Sequence, residues 1–208
     1  VPVDWQLDGN YFVVAHIHYV LIGINVFPVA GAIYFWFPKM TGQMMDERLG
    51  RWNFWVMFIG FNLGFFPMHI SGLLGMPRRI YTYQEGMGWD WTNLVTTIGS
   101  FVFAIGVLLF IWNVLRSLKC GAPAGDNPWD APTLEWATSS PPPAYNFVVI
   151  PTVASRHPLW EDRLEKKDGA GQSHTGTGLV LDHGRETIGT TALDAEPDVI
   201  LKMPGDTL

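Results

Sequence analysis

Three long stretches of the chain carry no Asp, Glu, Lys or Arg: Tyr11 to Phe37, Trp52 to Pro77 and Trp91 to Leu115. Each exceeds the roughly 20 residues an α-helix needs to cross a bilayer core of about 30 Å. The pattern predicts three transmembrane helices at about 11–37, 52–76 and 91–118. Aromatic residues gather at the ends of the runs (Tyr34, Trp36, Trp52, Trp89, Trp91, Trp112), where amphipathic rings settle at headgroup level. Three consecutive runs of this length argue against the buried core helices of a soluble protein. Pro28 and Pro67 interrupt two of the runs and predict kinks, which membrane helices tolerate because neighbouring groups satisfy the freed carbonyls.

The connectors "PKMTGQMMDERLGR" and "MPRRIYTYQEGMGWD" are short, and three spans place them on opposite sides of the membrane. Their Lys/Arg content leans weakly toward a cytoplasmic first connector, and Arg116 and Lys119 at the end of the third span add to that lean. The chain as a whole is 48% hydrophobic with a net charge of -6. That average conceals two materials, because seven Lys/Arg stand against six Asp/Glu up to Lys119, and six against thirteen after it. The organisation expected is a membrane region over 1–119, a Pro-rich tail over 120–168 that clings to its surface, and an acidic, Gly/Thr-rich extension over 169–208 that is free to move. Trp129, Trp136, Tyr145 and Trp160 are the anchors expected in the tail, and "WEDRLEKKD" suits a short helical turn. "DHGRET", with Asp182 and His183, reads as a loop for want of a second catalytic component. The single cysteine, Cys120, excludes an internal disulfide and reads as a solvated or interfacial thiol. No secretory signal is evident, and the opening "VPVDWQLDGN" leads straight into a span, as in a C-terminal portion of a longer chain.

The first run holds two imidazoles, His16 and His18. Two residues along an α-helix amount to about 200° of rotation and about 3 Å of rise, so the pair cannot chelate one ion. Helical zinc pairs use i, i+4 spacing instead. The spacing suits a helix that presents one imidazole to each of two metal centres on opposite faces. Neutral imidazole is the standard axial ligand of haem iron, and ionisable groups within a span are functional candidates. The bland reading is an interhelical hydrogen bond for each ring. Arg78 and Arg79 follow the second run, and three spans put them at the membrane side of Asn10, near the histidines. Adjacent guanidiniums are bidentate donors for carboxylates such as haem propionates; lipid headgroups are the alternative. Asn25, Asn62, Thr96, Thr97 and Ser100 read as interhelical hydrogen-bonders, and His69 as a structural imidazole.

Three segments, "YFVVAHIHYVLIG", "FNLGFFPMHISGLLGMPRRIYTY" and "NPWDAPTLEWATSSPPPAYNF", resemble subunit I of the cytochrome c oxidases in the haem-copper oxidase superfamily. The resemblance covers Val1 to about Trp160. It implies an all-α transmembrane fold: the last three helices of a twelve-helix bundle, followed by an extended, mostly irregular tail. It implies that His16, a catalytic residue, ligates the high-spin haem iron, that His18 ligates the low-spin haem iron, and that Arg78 and Arg79 bind propionates. The haems implied are haem a and haem a3, with copper held by residues in helices outside this chain. The activity implied is electron transfer from cytochrome c to dioxygen coupled to proton pumping in a bacterial inner (plasma) membrane, by a chain inactive without its partners. Those partners are the rest of subunit I, subunits II and III and cytochrome c. A quinol oxidase is the near alternative, against which Tyr19 and Pro77 speak; a haem-free scaffold is a more distant one. The family's usual His-Asp-Thr before the Tyr-Phe-Val-Val-Ala-His run is replaced by Asp8-Gly9-Asn10. Asp8 remains an oxygen donor for magnesium or manganese, without the complete site of the usual kind.

Overall fold

The computed structural model describes residues 2–144, 146, 147, 153 and 155–160, with the backbone of 186–190 and 197–202. The chain divides into two compact units, Val1–Phe35 with Met45–Gly121, and Trp36–Met44 with Ala122–Leu208. A short helix α1 (Pro2–Leu7) precedes α2 (Tyr11–Leu21). A π-helical turn over Ile22–Val26 then leads into α3 (Phe27–Thr41). The long helices α4 (Glu47–Leu73) and α5 (Asp90–Cys120) complete the set. Three helical stretches, Tyr11–Thr41, Glu47–Leu73 and Asp90–Cys120, are long and apolar enough to cross a membrane. They reach beyond the charge-free runs because polar and charged residues such as Glu47, Arg48 and Lys119 continue the helices.

Local chemistry sets the ends. Asn10 caps α2 by accepting the Phe12 N–H at 2.9 Å, and Asp46 caps α4 by accepting from Arg48 and Leu49 at 2.9 and 3.0 Å. α4 stops at Gly75, whose φ of 84° suits a residue without Cβ. The Met76 N–H returns to the Ser71 carbonyl at 3.0 Å there, closing the orphan end of the helix. The bend expected at Pro28 takes the form of the π turn just before it, in which the Phe27 N–H bonds the Ile22 carbonyl five residues back. Pro67 sits buried inside α4, which runs on through it.

Packing in the first unit has a simple grammar. The buried positions of α4 include Asn53, Met57, Gly60, Gly64, Pro67 and Ser71, alternating by four and three. Those of α5 include Thr92, Gly99, Gly106 and Asn113, seven apart. This heptad seam brings backbones together: a Cβ on Gly99 would stand 2.2 Å from the Gly64 nitrogen, and one on Gly60 2.3 Å from the Phe103 nitrogen. Large residues of α5 repeat by the same interval on an outer stripe and are all exposed: Trp91, Leu94, Ile98, Phe101, Ile105, Leu108, Trp112 and Leu115. Small residues inward and bulky ones outward is the arrangement for helices in lipid, where close backbone contact replaces hydrophobic burial as the glue.

Polar groups lock both ends of the seam. The buried amide of Asn113 donates to the Asp46 carbonyl at 3.0 Å and the Tyr34 hydroxyl at 3.2 Å, while its oxygen accepts from Ser117 at 3.2 Å. Asn53 donates to the Gly106 carbonyl at 2.7 Å. At the far end Ser71 and Thr92 share a hydrogen bond of 2.6 Å. Of the polar span residues expected to bond between helices, only Asn62 does so, accepting from Tyr19 at 2.9 Å. Asn25, Thr97 and Ser100 bond carbonyls four residues back in their own helices, the local competitor for short polar side chains. The Thr96 hydroxyl is buried with no partner among the described residues.

In the second unit, β1 (Gln43–Met44) pairs antiparallel with β2 (Ala122–Pro123). The Lys39 ammonium, buried, donates to the carbonyls of Asp126, Thr138 and Ser139 at 3.0, 2.7 and 3.3 Å and lies 5.3 Å from the centre of the buried Trp136 ring. Its three N–H donors are thereby all used. Trp160 donates to the Asp130 carbonyl at 2.8 Å and stacks on His157. Cys120 is a free, exposed thiol. Strand β3 (Glu186–Thr190), which overlaps the last two residues of the "DHGRET" segment read as loop, pairs antiparallel with β4 (Pro197–Lys202); the β-branched Thr187, Ile188 and Val199 favour this pairing. Tyr145, most of "WEDRLEKKD", Asp182 and His183 lie outside the described residues.

Candidate functional site

The Arg pair and the histidine helix meet at one end of the first unit. The Tyr11 N–H donates to the Met76 carbonyl at 2.9 Å, and the Arg78 N–H to the Gly9 carbonyl at 3.1 Å, so Asn10 and Pro77 form an antiparallel bridge. Trp89, buried, secures the same loop by donating to the Leu74 carbonyl at 3.2 Å. Arg78 is half-buried and Arg79 exposed. Arg79 has a φ of 65°, a left-handed conformation that costs a residue with a Cβ on the order of 1 kcal/mol. Among the described residues neither guanidinium has an ion pair or a side-chain hydrogen bond. Two adjacent permanent cations therefore stand beside the first turn of α2, with no carboxylate paired to them among the described residues.

α2 lies antiparallel to α4 along a ladder of rings. Gly72 lets the backbone of Phe12 approach so closely that a Cβ would stand 2.1 Å from the Phe12 nitrogen. His69 packs edge-on against Phe12, with ring centres 4.9 Å apart, and bonds the Phe66 carbonyl at 3.3 Å, as befits a structural imidazole. Next along, His18 stacks on Phe65, and Tyr19 packs on Phe61 while donating to Asn62. His18 Nδ1 is 2.6 Å from the Val14 carbonyl. A carbonyl can only accept, so Nδ1 is the donor in this contact, and in the neutral ring that leaves Nε2 as the nitrogen with the lone pair. That is the tautomer of a metal-ligating histidine whose second nitrogen is held by the protein. His16, two residues earlier, is exposed and makes no hydrogen bond among the described residues. The donor set, two imidazoles two residues apart on α2 beside two adjacent guanidiniums, is chemically suited to haem iron and to haem carboxylates.

Asp8 is exposed, and among the described residues no three His, Cys, Asp or Glu side chains are grouped to hold an ion. Asn10, third residue of the altered Asp8-Gly9-Asn10 segment, serves as the cap of α2. Sequence reasoning missed Phe65 as the neighbour of His18 and treated Asn113 not at all. Only the four-and-three spacing of small and polar residues in α4 and α5 carried a signal for the last.

Comparison with known proteins covers the segment that holds these residues. Residues 1–137 match the family described as Cytochrome C and Quinol oxidase polypeptide I. The chain is 49% identical over 162 residues to a probable cytochrome c oxidase subunit 1-beta of Nocardia farcinica, covering 77% of this chain and 28% of that protein. It is 47% identical over 167 residues to cytochrome c oxidase subunit 1 of Bacillus subtilis, covering 80% and 26%. Against cytochrome c oxidase subunit 1 of Corynebacterium efficiens the identity is 46% over 162 residues, with 77% and 28% covered. The chain thus spans little more than a quarter of the length of these relatives. With a family match over most of its length and three apolar helices in the matched region, the chain belongs to the cytochrome c and quinol oxidase polypeptide I family and corresponds to the C-terminal portion of that subunit.

Proposed function

We propose that the chain forms part of subunit I of a respiratory terminal oxidase that passes electrons from cytochrome c to dioxygen, reducing it to water and pumping protons. The observation that carries this reading is the meeting of the histidine helix with the Arg78-Arg79 loop through backbone hydrogen bonds of 2.9 and 3.1 Å. In it, His18 Nε2 ligates the iron of the low-spin haem, held in the ligating tautomer by the Val14 carbonyl. His16 ligates the iron of the high-spin haem on another face of the helix. Arg78 and Arg79 neutralise propionates. Haem supplies one-electron chemistry and dioxygen activation, and the chain's own share is ligation, orientation and charge neutralisation. Because His16 and His18 are about 200° apart around α2, each would hold a separate haem, and the helix itself would lie between the two.

The haems are haem a and haem a3, and copper is bound by residues outside this chain. The partners are the remainder of subunit I, subunits II and III, and cytochrome c as donor. The complex sits in a bacterial inner (plasma) membrane, and the chain alone is inactive. The names of the relatives favour cytochrome c over quinol as the electron donor. Single variants in the assembled complex test the ligand assignment. His16→Ala should abolish the carbon monoxide-reactive high-spin signal and spare more of the low-spin one, and His18→Ala should do the reverse. Loss of the same haem from both variants would contradict the assignment.

A further inference from the structure

Besides its ligand nitrogen, an axial imidazole has one more property that a protein can set: the direction of its ring plane about the metal–nitrogen bond. Two contacts fix that plane for His18. One is the bond from Nδ1 to the Val14 carbonyl at 2.6 Å, within the same helix. The other comes from α4: the Phe65 ring lies against the imidazole with centres 4.7 Å apart and planes only 14° from parallel. Phe65 is backed by Phe61 at 5.4 Å, and Phe61, buried, is held against Tyr19 at 4.6 Å. Tyr19 in turn bonds Asn62 at 2.9 Å, one turn from Phe65 on α4. A hydrogen bond alone lets a ring tilt about the bond axis; a face-on neighbour removes that freedom. The other imidazole near this interface, His69, meets its ring neighbours edge-on or tilted, with planes 49° to 84° apart. The nearly parallel contact belongs to His18.

We infer that Phe65 is a positioning residue for the low-spin haem, stacking on His18 so as to fix the plane of its imidazole and thereby the electronic character of the iron it ligates. The inference rests on the assignment of His18 as that ligand. Imidazole plane orientation governs the splitting of the iron d orbitals, so its loss reads out in the ferric low-spin electron paramagnetic resonance spectrum and in the midpoint potential, independently of turnover. Surrounding groups are recognised levers on ligand orientation and potential.

The test uses the assembled oxidase with Phe65→Leu, which keeps apolar bulk and removes the ring, and Phe65→Tyr, which keeps the ring. The expected result for the Leu variant is shifted and broadened low-spin g values with a changed low-spin potential, the carbon monoxide-bound high-spin spectrum staying as in the wild type. The Tyr variant restores the wild-type low-spin signal. If Leu fails to assemble, Phe65→Met, flexible and equally apolar, takes its place with the same expectation. A wild-type low-spin spectrum and potential in the ring-less variant would overturn the inference, and so would equal shifts in the Leu and Tyr variants. His18→Ala measured alongside separates the two levels. If it retains the low-spin haem, the ligand assignment itself fails; if it loses that haem while Phe65→Leu is silent, only the positioning role fails.

Discussion

The two faces of α4 do different work with different materials. Toward α5 it offers Gly60, Gly64 and buried amides, and the helices touch backbone to backbone. Toward α2 it offers His69, Phe65, Asn62 and Phe61, and the contact is ring against ring. The first seam has little tolerance in distance, because a Cβ added at Gly60, Gly99 or Gly106 collides with main chain. The second is made mostly of side-chain contacts, rings against rings and one hydrogen bond. Gly72 against Phe12 is the one point where the second face copies the first. The seam holds the bundle together, and the ladder aims the imidazole of His18.

That division predicts separable damage. The largest effect is expected at the seam: Gly99→Leu drives a side chain into the Gly64 backbone and should cost about 3 kcal/mol or more. It would be read as failed assembly or a sharply lowered Tm of the complex. Asn113→Ala comes next. It removes one hydrogen-bond partner each from the Tyr34 hydroxyl, the Ser117 hydroxyl and the Asp46 N–H and carbonyl, for about 1–3 kcal/mol, again with lowered thermal stability but an unshifted haem spectrum in whatever assembles. A shifted low-spin spectrum in Asn113→Ala would blur the comparison, since it would mean the seam also aims the ligand.

The smallest effect is expected at Asp46, which ties the seam to its connector. The backbone N–H of Leu49, together with that of Arg48 and the Arg116 guanidinium at 3.0 Å, holds its carboxyl below the ordinary aspartate value of 3.8. A depressed folded-state pKa stabilises above the unfolded value, and that contribution disappears as pH falls through the folded one. The Asp46→Ala variant should therefore be less stable than the wild type at neutral pH, and the difference should narrow as acid protonates the wild-type carboxylate below pH 3.8. Thermal melts across that range check it. A difference independent of pH would assign the loss to something other than the charged cap. The ion pair itself is partly exposed, and pairs of that kind contribute little.

Three spans were legible from charge-free length and the distortion beside Pro28 from its proline; the stop of α4 at Gly75 was not, because the charge-free run continues to Pro77. The fold was also less legible where a polar residue had two ways to be satisfied. Asn25, Thr97 and Ser100 carry nothing in their local sequence that distinguishes a bond to a neighbouring helix from a bond to their own carbonyls. At the candidate site, the histidine spacing and the Arg pair were visible because unusual residues in an apolar run must be accounted for. Phe65 was invisible, since one phenylalanine among thirteen in the chain has no mark of its own; only the fold reveals which ring faces an imidazole. Strand β3 was missed because a Gly in a five-residue segment looks like loop, and the six residues between it and its partner carry no strong hairpin signal in sequence.

The central claim is that this chain completes two haem pockets through two residues of one helix. The most direct measurement is a reduced-minus-oxidised absorption spectrum, with and without carbon monoxide, on the membrane complex that copurifies with the tagged chain. The account predicts two haem signals, one of which shifts on adding carbon monoxide. A colourless complex, or two signals that both ignore carbon monoxide, would contradict it.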